Sequence, residues 1–215
     1  MSQENKQKTS ELPTLILAVA VALLIRTFLF QSFYVPSDSM LPTMLAGDHV
    51  FVNKIAYGPR VPFTEFQFPG YREPERGEVV VFNLGRGPRG IHPADQRPEL
   101  STEAFVKRLV GLPGDRVEVR DGRVYLNGKA LRTEQTTETF TDSAGRDFRI
   151  YVESLGECRH QILDDPRQAG IDMELRTIPP GRYLFMGDNR DNSYDGRKFG
   201  TVRLQELQGP ANFLY

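Results

Sequence analysis

A single cysteine, Cys158, stands in a chain of 215 residues, which excludes an internal disulfide and a multi-cysteine metal site. It says nothing of the redox compartment. A surplus of basic charge is also missing. Lys+Arg 27 against Asp+Glu 28 leaves a net charge of -1, so no general positive field points to nucleic acid as a partner. Arg86, Arg89 and Lys198 sit among loop residues and read as solvated surface. There is no internal repeat and no long amphipathic helix, and only one extended apolar run. With 39 % hydrophobic residues and a mean hydropathy of -0.42, the bulk of the chain reads as a soluble body, not a polytopic membrane protein. The length suffices for one full core plus an anchor or a small second domain.

The apolar run covers Leu12 to Ile25, broken only by Pro13 and Thr14, before Arg26 and Thr27 interrupt it. A spanning helix needs about 20 residues. That length is reached by continuing from Thr14 to Tyr34 with Arg26 snorkelling toward head groups. The chain thus divides into a cytoplasmic tail (1–11) and a transmembrane anchor (12–34), with Phe28, Phe30, Phe33 and Tyr34 as an exit-side aromatic belt. A cleaved signal peptide would need a small-x-small site, and Arg26 to Tyr34 is bulky. Lys6 and Lys8 place the N-terminus inside, so the body lies on the extracytoplasmic side.

The body reads as nearly all β. Strands are expected at His49–Lys54, Val79–Phe82, Ala104–Val110 and Tyr183–Met186, with a tight turn at Leu112–Asp115. Asp121-Gly122 and Asn127-Gly128 are two-residue turn signals of type I′ between alternating runs, which makes a meander. Residues 59–74 and 85–98 read as loops. In 133–181, Phe148–Val152 is the only convincing strand, and the segment is expected to form an inserted flap. The catalytic β domain is then 35–132 with 182–215.

Pro36-Ser37-Asp38-Ser39-Met40-Leu41-Pro42-Thr43-Met44 presents two hydroxyls just after the anchor. A serine attacks a carbonyl only with a base to take its proton and donors for the oxyanion. No Gly-x-Ser-x-Gly elbow surrounds Ser39, which argues against a histidine base drawn from His49, His92 or His160. Lys107 lies between Val106 and the Leu109-Val110 pair. Drawn out of water there, its ammonium is disfavoured and the neutral amine becomes a base, a known triad variant. Strand alternation also allows Lys107 to face solvent. In Gly187–Gly196, Asp191 to Gly196 matches a calcium loop only loosely, since Val202 stands where the twelfth-position glutamate belongs. An Asp195–Arg197 ion pair is the simpler reading of that loop. No metal or cofactor is expected.

Taken together and in order, PSDSMLPTM, GDHVFVNK, RGEVVVF, FVKRLVGLPGD and GDNRDNSYDGRKFG resemble the bacterial type I signal peptidases. The blocks cover most of the chain. The resemblance implies a mainly β protein with an N-terminal single transmembrane helix, an all-β catalytic body and an inserted β subdomain. It implies Ser39 as nucleophile and Lys107 as general base. Ser37 would share the oxyanion hole with the Ser39 amide. Ser193 would orient the Lys107 amine while Asp195 and Arg197 hold its loop, Asp188 and Arg190 completing the network. The substrate would add as a strand between Phe33–Ser39 and Ala104–Lys107. Phe33, Val35, Met40, Met44, Phe105, Val106 and Met186 would wall shallow pockets for alanine.

Asp38 stands where many members have glycine, and strand alternation would turn it away from Ser39. Val202-Arg203 replaces a frequent Val-Pro pair. The implied activity is removal of signal peptides from secretory preproteins after an Ala-x-Ala site, at the bacterial cytoplasmic (inner) membrane. The implied partners are those preproteins, the lipid bilayer and the export translocon. The rival from another class, an inactive anchored β module that binds extended peptides, would be marked by loss of Ser39 or Lys107. Both are present.

Overall fold

The computed structural model describes residues 4–61, 64, 66–87, 90–91 and 103–214. Arg89, His92 and much of the loop at 85–98 fall outside the described residues. Helix α1 (Glu4–Leu24) continues through a π-helical turn at Ile25–Leu29. Within it Leu12–Leu29 has a mean hydropathy of 2.3, none of it is buried, and it is long and apolar enough to cross a membrane.

The helix is shorter than the anchor expected from the sequence. Phe30–Tyr34 is strand β1, paired with β2 (His49–Asn53) from Phe30↔Asn53 to Tyr34↔His49. The switch has a local cause. Lys54 Nζ donates to the Thr27 carbonyl at 2.7 Å and its backbone N–H to that of Leu29 at 2.9 Å, so β2's end takes up carbonyls that a longer helix would use itself. The aromatics alternate along β1, with Phe30 and Tyr34 exposed and Phe33 half-buried.

The remaining strands follow in chain order: β3 (Val79–Leu84), β4 (Arg86–Gly87), β5 (Gly90–Ile91), β6 (Glu103–Gly111), β7 (Arg116–Arg120), β8 (Arg123–Leu126), β9 (Lys129–Ala130) and β10 (Arg132–Thr141). After them come β11 (Asp147–Leu155), β12 (Cys158–Asp164), β13 (Met173–Thr177), β14 (Arg182–Met186), the short helix α2 (Gly196–Phe199), β15 (Val202–Arg203) and β16 (Leu207–Leu214). The central sheet has the order β1-β2-β16-β3-β6-β14-β15.

Apolar residues bury both faces of its middle. Val80, Phe82, Leu109 and Phe185 join one cluster. Val81 and Val106 join another with Val35, Met40, Val50 and Val52. Burial on both sides is why β3 reads as an unbroken Val-Val-Val-Phe run. Phe82 stacks on Phe105 at 5.9 Å and meets Phe185 in a tilted contact at 4.6 Å, and a ring fully buried contributes about 1.5–3 kcal/mol.

The two hairpin turns are those the sequence signals. Asp121 and Gly122 have φ of 48° and 71°, Asn127 and Gly128 have 53° and 83°, the left-handed pair that a type I′ turn requires. The expected flap is more regular than foreseen. It holds the three-stranded sheet β10-β11-β12, and β13 returns to pair with β7 in the sheet β13-β7-β8-β9. Strand β10 hid from pattern reading because its threonines and glutamates are mostly exposed, which leaves no period to detect. Val110, Val117, Val119, Leu155, Met173 and Leu184 join that meander sheet to the central one. Leu41 is buried with Phe148, Ile150 and Leu163, which ties the segment after Ser39 to β11 and β12.

Candidate active site

Strand β6 creates the site by changing partners along its length. Glu103 to Arg108 pairs with β3 on one side. On the other side β14 pairs only from Arg108 onward, through Met186↔Arg108, Phe185↔Leu109 and Leu184↔Gly111. The Glu103–Lys107 edge is therefore open, and its first three residues are not buried, whereas all from Val106 on are. A cleft of about 650 Å³ lies along this edge, walled by Pro36–Ser39 opposite and by Asp191–Tyr194 and Lys198 at the end.

Ser39 lies in a single 3-10 turn, Asp38–Met40, entered from the extended Ser37. This turn, not a strand, sets the side-chain directions. Met40 is thrown inward and fully buried, Ser39 is 6 % exposed, and Asp38 is half-buried on the cleft wall instead of turned away from it. Lys107 alternates onto the face of Phe105 and Leu109. It is only 3 % exposed, and its Nζ donates to Ser39 Oγ at 2.7 Å and to the Val106 carbonyl at 2.8 Å. Burial lowers the Lys107 pKa from 10.5 to about 8, against the opposing pull of the Asp195 and Asp188 carboxylates. Ser37 Oγ lies 3.1 Å from Ser39 Oγ.

The loop after β14 holds the serine turn from behind. Asn189 N–H donates to the Ser39 carbonyl at 3.1 Å and Asn189 Nδ2 to the Asp38 carbonyl at 3.0 Å. Gly187 is required by close approach. A Cβ there would meet Ser193 Oγ at 2.3 Å and the Ser39 carbonyl oxygen at 2.5 Å. Asp195 caps α2 and holds Arg197 by two contacts of 2.9 and 2.8 Å, while accepting the Gly187 N–H at 3.0 Å. Arg197 Nη2 in turn donates to the Arg190 carbonyl at 2.5 Å. Ser193 Oγ is buried in the cleft wall, and among the described residues the Lys107 Nζ hydrogen bonds go to Ser39 and Val106, not to Ser193.

Four residues of this network escaped sequence reasoning. Arg108, which alternates to the face opposite Lys107, grips Asp188 with Nε and Nη2 at 2.8 and 2.6 Å. Thr43 Oγ1 donates to the same carboxylate at 2.5 Å. Arg190 makes a two-pronged ion pair with buried Glu153 on β11. Burial pushes Glu153 up, but Arg190 and His160 outweigh it and bring its pKa down to about 2. His160 Nε2 stands 3.4 Å from Glu153 and 4.0 Å from Asp188. The one signal available was the charge density of FVKRLVG and GDNR, which does not say who pairs with whom.

The apolar candidates divide. Phe33, Val35, Phe105 and Val106 line a small pocket beside the cleft, with Pro36 and Ala104. Met40, Met44 and Met186 line neither. The first two form the layer beneath Val35 and Val106, and Met186 is buried with Val110, Leu155 and Leu184. The inward throw of the 3-10 turn accounts for Met40, and full coverage by the meander sheet accounts for Met186.

The family model described as "Signal peptidase, peptidase S26" matches residues 9–215. The chain belongs to this family. Among curated relatives, the signal peptidase I of Pseudomonas aeruginosa is 37 % identical over 186 residues, 86 % of this chain and 60 % of that protein. The signal peptidase I of Rickettsia canadensis is 32 % identical over 231 residues, 98 % of this chain and 81 % of the relative. This chain thus spans three-fifths of the Pseudomonas relative's length and four-fifths of the Rickettsia one's. A crystal structure of a signal peptidase I from Enterococcus faecalis V583 has 27 % identity, a TM-score of 0.35, and coverage of 65 % of this chain and 97 % of that one. In this member of the signal peptidase family the Ser39–Lys107 contact stands beside the open β6 edge.

Proposed function

We propose that this chain is a membrane-anchored serine endopeptidase that removes N-terminal signal peptides from exported preproteins after an Ala-x-Ala-type site. The observation that carries this reading is the 2.7 Å contact between Ser39 Oγ and a Lys107 amine buried enough to titrate at about 8. The neutral amine accepts the Ser39 proton as Oγ attacks the scissile carbonyl carbon. The Ser39 N–H and the Ser37 hydroxyl donate to the developing oxyanion. Collapse breaks the C–N bond, the leaving amine takes the proton from Lys107, and the signal peptide remains as an ester on Ser39. Water, giving its proton to Lys107, attacks that ester, and the departing Ser39 Oγ takes the proton back. Asp195 with Arg197 keeps the Gly187–Gly196 loop in place, and Ser193 borders the cleft on that loop.

The substrate pairs with the open Glu103–Lys107 edge by β-augmentation, opposite Phe33–Ser39. Phe33, Val35, Phe105 and Val106 border a pocket with little room, which favours alanine over larger side chains. Leu12–Leu29 crosses the bacterial cytoplasmic membrane once, with Lys6 and Lys8 on the inner side and the β body outside. The cleft is thereby held where a preprotein leaves the bilayer or the translocon. The test is cleavage of a preprotein with an Ala-x-Ala site by the purified full chain in detergent. Intact wild-type activity with loss of about 10³-fold or more in Ser39→Ala and Lys107→Ala is expected. Substantial cleavage by either variant would sink the dyad.

A further inference from the structure

A second cleft, of about 270 Å³, lies beyond the dyad. Its walls come from the Asp121–Arg123 turn between β7 and β8, from β11 and β12, and from Arg190 and Asp191 of the loop behind the active site. Asp191 lines both this cleft and the catalytic one, so the two meet at that residue. The path between them follows from strand pairing. Because β14 occupies the β6 edge from Arg108 onward, a chain lying along Glu103–Lys107 cannot continue along β6. The loop that carries Asp191, where the two clefts meet, offers it a way out.

The cleft is polar and carries charges of both signs, with two arginines at its rim. Among the described residues Arg123 and Arg149 make no hydrogen bond and no close ion pair, and both are exposed at its rim, Arg149 acting on the carboxyl of its cross-strand neighbour Asp164 by pulling it down. Arg190 is buried beneath, its guanidinium committed to Glu153 and its Nε without a partner. Asp164, cross-strand neighbour of Arg149, and Asp191 are half-buried, and burial raises both carboxyls, Asp164 adding to the rise at Asp191. Asp121 is exposed at the turn. Tyr151 and Ile162 supply the apolar part of the floor.

We propose that this cleft receives the first residues of the mature segment, downstream of the scissile bond, and that Arg123 and Arg149 select acidic side chains there. The inference rests on the peptidase reading above. It also assigns a use to the sheets outside the catalytic core, which place both arginines and hold the Asp191 loop through Leu163 N–H to the Asp188 carbonyl at 2.9 Å.

Two arms test it, both with the full chain in detergent. In the first, preproteins identical except for acidic or basic residues early in the mature segment are compared by kcat/KM. Wild type is expected to favour the acidic substrate by about fivefold, in the range of exposed charge pairs. The Arg123→Gln/Arg149→Gln double variant should lose that preference while cutting a substrate truncated just past the scissile bond at the wild-type rate. No preference in wild type, or the same preference in the double variant, overturns the assignment. In the second, Ser39→Ala protein is incubated with a preprotein bearing a photoreactive side chain a few residues into the mature segment. Cross-linking to β11 or β12 supports the cleft, and labelling elsewhere or none refutes it. Absence of all cleavage by wild type would instead refute the peptidase reading, and the second arm would still decide the cleft.

Discussion

Arg108 and Asp188 form a two-pronged ion pair with both side chains almost wholly buried, one residue along the strand from Lys107 and on the opposite face. Strand alternation makes this arrangement possible: β6 sends its lysine toward Ser39 and its arginine toward the loop that holds the Ser39 turn. The pair therefore couples the strand that bears Lys107 to the loop that supports the Ser39 turn.

Breaking that pair from one side leaves a buried charge without compensation. Arg108→Met is expected to destabilise the protein by about 3–5 kcal/mol and to lower cleavage at temperatures where it remains folded. Thermal unfolding followed alongside activity checks this. An unchanged midpoint would show that the pair carries no structural weight.

Cleavage should rise with pH through about 8, where the Lys107 ammonium gives up its proton, and level off above. The same shift has a stability consequence of known sign. The folded protein holds a lysine whose pKa is depressed from 10.5, so between about 8 and 10.5 the unfolded chain binds more protons and stability climbs with pH. Below about 8 the charged amine is a burden. Lys107→Met should abolish cleavage yet stabilise the fold at neutral pH, by up to about 3 kcal/mol. Denaturant unfolding at pH 7 decides the point, and a destabilised variant would contradict it.

Gly187→Ala introduces a methyl where Ser193 Oγ and the Ser39 carbonyl already stand within 2.3 and 2.5 Å. Displacement of the serine turn should reduce kcat by about 10²-fold, with a smaller effect on KM. Single-turnover acylation rates would separate this from a binding defect.

Glu153 is the buried counter-charge of Arg190. Its pKa is lowered to about 2 from 4.5, so its contribution is complete above 4.5 and is lost as pH falls toward 2. Acid unfolding should therefore be displaced to higher pH in Glu153→Gln, with destabilisation of about 3–5 kcal/mol at neutral pH from the orphaned arginine. Circular dichroism across an acid titration measures both.

Much of the fold was legible in local pattern. The Val-Val-Val-Phe run marked a strand buried on both faces, and Asp121-Gly122 and Asn127-Gly128 marked hairpins that the backbone angles match. Strand β10 was not legible, because a polar strand exposed along most of its length has no apolar period. Nor was the end of the helix. Phe30, Phe33 and Tyr34 are the aromatics of an anchor's interfacial end, and only the partner strand β2 shows that this backbone is satisfied by a sheet.

The sequence by itself determined the punctuation of the chain, one helix apolar enough to cross a membrane, and the motif order that brought Ser39 and Lys107 to attention. These depend on side chains within a few positions of one another. Only the tertiary structure decided that Lys107 is dry and touches a serine 68 residues away, and that Arg108 closes on a carboxylate 80 residues distant. It alone showed that Met40 and Met186 are core and that a second polar cleft continues past Asp191. The physical reason is that desolvation and ion pairing are properties of what surrounds a group in space, and no local period encodes them.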